Sequence, residues 1–268
     1  MKLLQLLFFS FFCSFSAQKN LAFDSLILKD VRDLLSDDYG NIYLYKNKDF
    51  SFTKYDSLGI QKGKLMLTLP FKIQSVQNPL NIPSFSENAQ ELKFFDQNLN
   101  EIQTVNFRQK FGFIRNVYAE DLQQIWLVDE SMKRLVQYNF REDQIVNSFP
   151  FNINFEELTD FLVFESKVYF LGRNWFSVYN FKAEKIFETP IEDGRKLRRE
   201  NQNILIMGKN TVQKWDQLTL KTVFSSMDAQ IVDKNSAAYF VIKDNKLYLY
   251  HPYSPNKSEG NEINFKEN

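Results

Sequence analysis

The sequence predicts an all-β fold, a six-bladed β-propeller of four-stranded blades whose ring is closed by the N-terminal strand. The first observation behind this is a recurrent unit, an alternating apolar strand that ends in an aromatic residue followed by Asp or Asn. It reads Phe52-Thr53-Lys54-Tyr55-Asp56, Leu92-Lys93-Phe94-Phe95-Asp96, Leu135-Val136-Gln137-Tyr138-Asn139, Phe176-Ser177-Val178-Tyr179-Asn180 and Val212-Gln213-Lys214-Trp215-Asp216, with a looser sixth copy at Leu247-Tyr248-Leu249-Tyr250-His251. Successive copies end 40, 43, 41, 36 and 35 residues apart, the repeat length of propeller blades. The second is composition: 28 Phe and 12 Tyr against 8 Gly and 7 Pro favour strands and leave no linker-like segment in the repeats. The third is length. Six such units use almost all of the 268 residues, so residues 18–268 read as one closed domain.

Taken in order, the chain opens with Met1-Lys2 and the apolar stretch Leu3 to Phe12, too short for a membrane-spanning helix and built like a secretory signal peptide. Cleavage after Ser16 or Ala17 makes residues 1–17 the signal segment. Cys13, the only cysteine, lies inside it, and the bulky Phe12 before it argues against lipoprotein processing. The mature chain is then free of cysteine, which excludes disulfides, thiolate nucleophiles and Cys-ligated metal. Leu21 to Leu28 follows as a strand without a partner in the first repeat.

The first blade reads as Arg32–Ser36, Asn41–Tyr45, Phe50–Tyr55 and Lys64–Thr68, with Gly40 supplying a positive φ in the first turn. In the second blade Ile73–Val76 is the inner strand, Leu92–Phe95 the third and Glu101–Phe107 the outer. Pro79 and Pro83 make its second strand the least regular of the six. The third blade offers Gln124–Val128, Arg134–Tyr138 and Gln144–Phe149. The fourth offers Lys167–Leu171, Trp175–Tyr179 and Lys185–Glu188, the fifth Asn203–Met207, Val212–Trp215 and Lys221–Phe224, and the sixth Ala238–Ile242 and Leu247–Tyr250. The sixth lacks an outer strand of its own. Residues 21–28 are expected to supply it, because a strand from the other end of the chain removes two open sheet edges. Gly260–Phe265 is the alternative, within a polar tail that starts near residue 252.

Lys plus Arg and Asp plus Glu both number 33, so no net field selects nucleic acid or an anionic membrane. The single histidine, His251, excludes multi-His metal sites, and no Gly-x-Ser-x-Gly elbow or Gly-rich phosphate loop occurs. The Asp37, Asp38 and Asn41 turn lacks the alternating Asp pattern and terminal Glu of a calcium loop. An Asp or Asn needed once per repeat reads as a turn former that caps its own backbone. The expectation is therefore a protein that is not an enzyme and needs no cofactor or metal.

Basic residues gather in two stretches, Arg108, Lys110 and Arg115 around Phe111 and Phe113, and Arg195, Lys196, Arg198 and Arg199. Both fall near junctions from an outer strand to the next inner strand, which share one rim of a propeller channel with the turns between second and third strands. Arg173, Trp175 and Lys209 fall in or beside turns of that second kind. The candidate binding rim is thus Arg108, Lys110, Arg115, Arg173, Trp175 and Lys209, meeting an acidic or carboxylate-bearing partner. Inner strands contribute Arg32, Asp33, Asn116, Asp160 and Arg198 to the channel, and Trp175 or Trp215 could serve as an exposed carbohydrate platform.

The runs Asn78-Pro79-Leu80-Asn81-Ile82, Glu91 to Asp96 with Asn98 to Gln103, and Ile125-Trp126-Leu127-Val128-Asp129 resemble a group of exported, uncharacterised β-propeller proteins of Bacteroidota. Gly40-Asn41-Ile42-Tyr43 is similar to NHL-type propellers, many of which are interaction platforms. The resemblance implies export to the periplasm or outer membrane, or secretion, and a protein partner in the cell envelope, with no nucleic acid and no transmembrane span in the mature chain. It defines no catalytic motif. A small-ligand binder or an enzyme using the channel mouth is the other class of function left open.

Overall fold

In the computed structural model the backbone of Ser16–Lys19 and residues 28–217 and 219–252 are described. Among the described residues twenty-four strands form six four-stranded antiparallel sheets. Five are built in chain order from the channel outward: β2 to β5 (Val31–Ser36, Ile42–Lys46, Ser51–Tyr55, Gln61–Met66), β6 to β9 (Lys72–Ile73, Ile82–Ser86, Glu91–Phe95, Glu101–Asn106), β10 to β13 (Ile114–Ala119, Gln124–Asp129, Arg134–Asn139, Gln144–Pro150), β14 to β17 (Leu158–Phe164, Lys167–Gly172, Trp175–Asn180, Lys185–Pro190) and β18 to β21 (Lys196–Glu200, Asn203–Met207, Thr211–Trp215, Leu220–Ser225). The sixth joins β22 (Ile231–Lys234), β23 (Tyr239–Lys243) and β24 (Lys246–His251) to β1 (Ser16–Lys19).

The repeated unit has a structural counterpart at each blade. In five blades the aromatic residue that ends the third strand sits opposite a β-branched residue on the second: Tyr55 faces Ile42, Phe95 Ile82, Tyr138 Ile125, Tyr179 Val168 and Trp215 Ile204, while in the sixth Tyr250 faces Tyr239. Such cross-strand pairs are the local unit of sheet stability. The core is divided among six apolar clusters, each at a seam between neighbouring blades. Both faces of a blade are therefore covered, so the second strands are continuous apolar runs such as Val168-Tyr169-Phe170-Leu171, buried throughout. Outer strands touch a seam with alternate residues only, as the exposed and half-buried pattern of Gln61–Met66 shows.

The Asp or Asn after each aromatic caps the turn to the outer strand. In four blades one Oδ1 accepts two backbone N–H groups: Leu58 and Ile60 at Asp56, Asn98 and Asn100 at Asp96, Arg141 and Glu142 at Asn139, Lys182 and Glu184 at Asn180; at Asp216 it accepts Thr219 N–H. These bonds, led by Ile60 N–H and Asn100 N–H, hold the Asp56 and Asp96 carboxyls below the ordinary Asp range. A depressed folded-state pKa gives stability above the unfolded value that is lost as pH falls through the folded one. Paired D56N and D96N replacements should flatten the acid limb of a Tm-against-pH curve between pH about 5 and 2. An acid limb as steep as that of the wild type would show that the two caps do not titrate with folding.

At Asp37 the carboxylate accepts Tyr39 N–H, Asn41 N–H, the Asn41 amide and the Tyr43 hydroxyl, and Gly40 has φ +84°, as turn chemistry requires. The Tyr43 hydroxyl pKa is driven upward by burial and by that carboxylate.

Three expectations are corrected. The closing strand is N-terminal, but it is Ser16–Lys19 and not 21–28: Ala17 pairs with Tyr250, Gln18 with Leu249 and Lys19 with Tyr248. Residues 21–27 lie outside the described residues, while Leu28 is buried in the seam between the sixth and first blades. The expected cleavage points fall within this strand, and the rest of the expected signal segment, like the alternative strand Gly260–Phe265, lies outside the described residues. Second, the irregular strand of the second blade is the inner one, which has two residues, Lys72 and Ile73; β7 is buried throughout and paired on both sides. Pro83 costs β7 no ladder bond. Its carbonyl accepts Gln74 N–H just past the end of β6, so its ring nitrogen faces the side where the inner strand has run out. Third, the first outer strand begins at Gln61 instead of Lys64, because the Asp56 turn delivers the chain directly into it.

Candidate functional site

Inner strands β2, β6, β10, β14 and β18 start at one end of the channel and surround a cavity of about 740 Å³. Its wall carries three of the six expected rim residues, Arg115, Arg173 and Lys209. Four more cations, Arg32, Lys72, Arg195 and Lys196, join them against the carboxylates of Asp33, Glu87 and Asp193. Seven cations stand against these three carboxylates and against Glu130 and Asp160 beside the wall, which leaves the mouth basic although the chain as a whole is neutral.

The cations differ in how far they are committed. Arg115 bridges Glu130 at 2.7 Å and Glu87 at 2.8 Å. Arg32 donates to the Asn47 amide oxygen at 2.9 Å, and Lys72 binds Asp160 at 2.7 Å and the Thr159 carbonyl at 2.6 Å. Arg173 and Lys209 are exposed, and their charged groups have no hydrogen-bond or ion-pair partner among the described residues. They are the free charges of the rim.

The other three expected rim residues do not line this cavity. Arg108 is exposed and donates to the Asn88 carbonyl at 3.3 Å. Lys110 is drawn to Asp143 and lies over the Tyr138 ring. Trp175 is half-buried, packs over Gly172, where a Cβ would stand 2.2 Å from its indole nitrogen, and donates to Glu157 at 3.2 Å. The sequence put Arg108 and Lys110 near a junction and Trp175 beside a turn between second and third strands, but local acceptors engage each of them. Trp215 is buried between blades against Phe187, at a ring separation of 4.2 Å, so it presents no carbohydrate platform.

Beneath the mouth the channel wall is ionic and largely paired. The Asp160 carboxylate accepts Leu197 N–H at 2.7 Å as well as Lys72. Arg195 reaches Asp33 at 3.4 Å and the Val232 carbonyl at 3.3 Å. Arg198 crosses to the first blade, donating to the Ser36 carbonyl and Asp38, both at 3.1 Å. Asp233 accepts the Ser36 N–H at 2.7 Å and hydroxyl at 2.8 Å. Lys196, 7% exposed, is the exception: its ammonium has no partner among the described residues. Burial pushes its pKa below the lysine range against the pull of Asp33, Asp233 and Asp160, with Arg195 adding to the downward shift. Burial pushes the Asp233 carboxyl upward, against Lys196, Arg198 and the Ser36 bond. The alternation of Lys196 and Arg198 about Leu197, which places both on one strand face, was the sequence signal for this residue.

A second cavity of about 710 Å³ opens at the far ends of the inner strands and is lined by Gln74, Gln77, Asn78, Asn81, Tyr118 and Arg199 among others. Among the described residues no group of three or more His, Cys, Asp or Glu side chains is placed to hold a metal, and no helix is long and apolar enough to cross a membrane. His251 is exposed at the end of β24, its Nδ1 3.4 Å from the Ala237 carbonyl.

No protein-family model matches the sequence, and no curated protein matches it. Among solved structures the chain is similar to a streptogramin B lyase, with a TM-score of 0.53 and 11% identity over 90% of this chain and 89% of that one. It is also similar to virginiamycin B lyase from Staphylococcus aureus, in a catalytically inactive form with quinupristin, at TM-score 0.50 and 8% identity over 84% and 80% of the two chains. BamB from Moraxella catarrhalis gives a TM-score of 0.45 at 8% identity over 82% and 84%. At such identities the likeness is one of fold, an all-β six-bladed β-propeller.

Proposed function

We propose that this chain is an exported, non-catalytic propeller that serves as a protein-interaction module, a subunit or accessory of a cell-envelope complex, and that its basic channel mouth receives a carboxylate-bearing segment of the partner. The observation that carries the reading is a pair of exposed cations at one mouth, Arg173 and Lys209, unpaired within the described chain. Unpaired surface cations at a concave rim attract an acidic partner, speed its encounter and reject a basic one. A rigid ring also presents many independent loops to a single partner surface. The apolar leader and the resemblance to exported propellers of Bacteroidota support an envelope location.

Cross-linked affinity purification of the tagged protein from the envelope fraction tests this reading. The wild type is expected to recover a stoichiometric envelope protein with an acidic contact segment. The double variant R173E/K209E, which reverses the two free charges without breaking an ion pair, should recover about tenfold less, the yield of about 1.4 kcal/mol of lost attraction. Equal recovery by the variant would sink the mouth as the contact, and a clean monomer from the wild type would sink the interaction module itself.

A further inference from the structure

We infer that the throat beneath this mouth holds a seat for one oxyanion group, a carboxylate or phosphate on a small apolar-bodied molecule or on a peptide, anchored by the ammonium of Lys196. The inference deepens the reading of the mouth as a receiver of acidic groups and rests on it for the approach of the ligand. It starts from an exception. Lys72, Arg195 and Arg198 each meet a carboxylate, and the carboxylates of Asp33, Asp160 and Asp233 each accept a hydrogen bond. Lys196 lines the same cavity, is more than nine-tenths buried, and has no acceptor among the described residues for its three N–H donors.

The stem of Lys196 is buried while its ammonium opens on the cavity, where it meets no protein acceptor among the described residues. An oxyanion entering from the mouth supplies the hydrogen-bond acceptor that Asp33, Asp160 and Asp233, which attract Lys196 from beyond hydrogen-bond reach, do not. The wall also provides for the remainder of the molecule, since Phe71, Ile73, Phe85 and Leu158 line the cavity beside the cations. A volume of about 740 Å³ lies in the range of small-molecule sites, and these four side chains form an apolar strip within an otherwise charged wall. The ligand class is therefore an organic acid or phosphate with an apolar body, its charged group inward.

The test is calorimetric titration of the full mature chain with four probes: 3-phenylpropionate, its neutral amide, inorganic phosphate and a capped acidic hexapeptide. Wild-type protein is expected to bind phenylpropionate at least about tenfold tighter than the amide. K196M, which keeps the length of the side chain and removes the charge, should abolish that preference while keeping a cooperative melt and the wild-type circular dichroism, which report that it is folded. R173E/K209E should leave the preference for carboxylate over amide in place and weaken the peptide. Displacement of phenylpropionate by the hexapeptide would assign the seat to a partner's acidic side chain, and displacement by phosphate alone to a free small ligand; both support the seat. Equal binding of acid and amide, no measurable heat with any probe, or an unchanged preference in K196M would overturn it. Loss of the mouth reading alone would show differently, as an envelope recovery untouched by R173E/K209E with the K196M effect intact.

Discussion

Trp215→Ala is expected to destabilise the protein by about 4 kcal/mol, the range for emptying a buried aromatic site that cannot collapse. Trp215 is 3% exposed and fills the seam between the fourth and fifth blades. Its ring lies 4.2 Å from Phe187 and 6.0 Å from Phe176, and its backbone pairs with Ile204 on one side and Leu220 on the other. The side chain thus serves two blades, and because each strand of the seam is tied into a full sheet, the walls have little freedom to close on a void. Chemical denaturation followed by tryptophan fluorescence and circular dichroism would measure the loss. Trp215→Phe retains most of the apolar volume and should cost less than half as much. A loss under about 1 kcal/mol for Trp215→Ala would mean that the seam repacks and that the repeated aromatic is not a structural requirement.

Asp233→Ala should cost about 3 kcal/mol through a different mechanism. Ser36 and Asp233 are 197 residues apart, and their two hydrogen bonds join the first blade to the last. Both residues are buried, so removing the carboxylate leaves a buried N–H and a buried hydroxyl without an acceptor, at roughly 1–3 kcal/mol each. The neighbouring bonds from the Asn235 amide to the Asp37 carbonyl at 3.0 Å and from Ser236 N–H to Asp38 at 2.8 Å make this a latch of several residues. Asp233→Asn keeps an oxygen in place for Ser36 and should be much milder. Its effect also depends on pH. Burial raises the Asp233 pKa in the folded state, so the contribution of this group is fully present below the unfolded carboxyl value and is lost as pH rises through the folded value. The Asn variant does not titrate and should gain on the wild type across that rise. Denaturation midpoints for the three proteins at several pH values, with Ser36→Ala completing a double-mutant cycle, would measure the latch; a difference between wild type and Asn variant that is flat with pH would place the titration elsewhere.

The blades were legible in the sequence because each is made by contacts close along the chain. Tyr55 opposite Ile42, or Asp56 accepting Leu58 and Ile60, needs fewer than twenty residues of sequence, and the same solution returns in later repeats. The second strands were equally plain, since a strand covered on both faces must be apolar at every position. The strand that closes the ring was harder. Ser16–Lys19 is short and polar, and its pairing with β24 spans nearly the whole chain, so no local pattern distinguishes it from the apolar residues 21–28 that follow.

The candidate site was legible only in part for the same reason. Arg115, Arg173 and Lys209, reached by counting strands to a rim, line one cavity, but the same count could not foresee that Asn88 holds Arg108, Asp143 holds Lys110 and Glu157 holds Trp175. A charge is directed by the acceptors around it, and those come from turns distant in sequence. By itself the sequence determined the repeat, the blade count, the capped turns and the side of the ring on which basic junctions gather. Only the tertiary structure decided which cations stay free and which are consumed. Lys196 shows the reason most clearly: its electrostatic neighbours Asp33, Asp160 and Asp233 come from three other blades, and which of these charges meet within hydrogen-bond reach is settled only once the ring has brought those strands together.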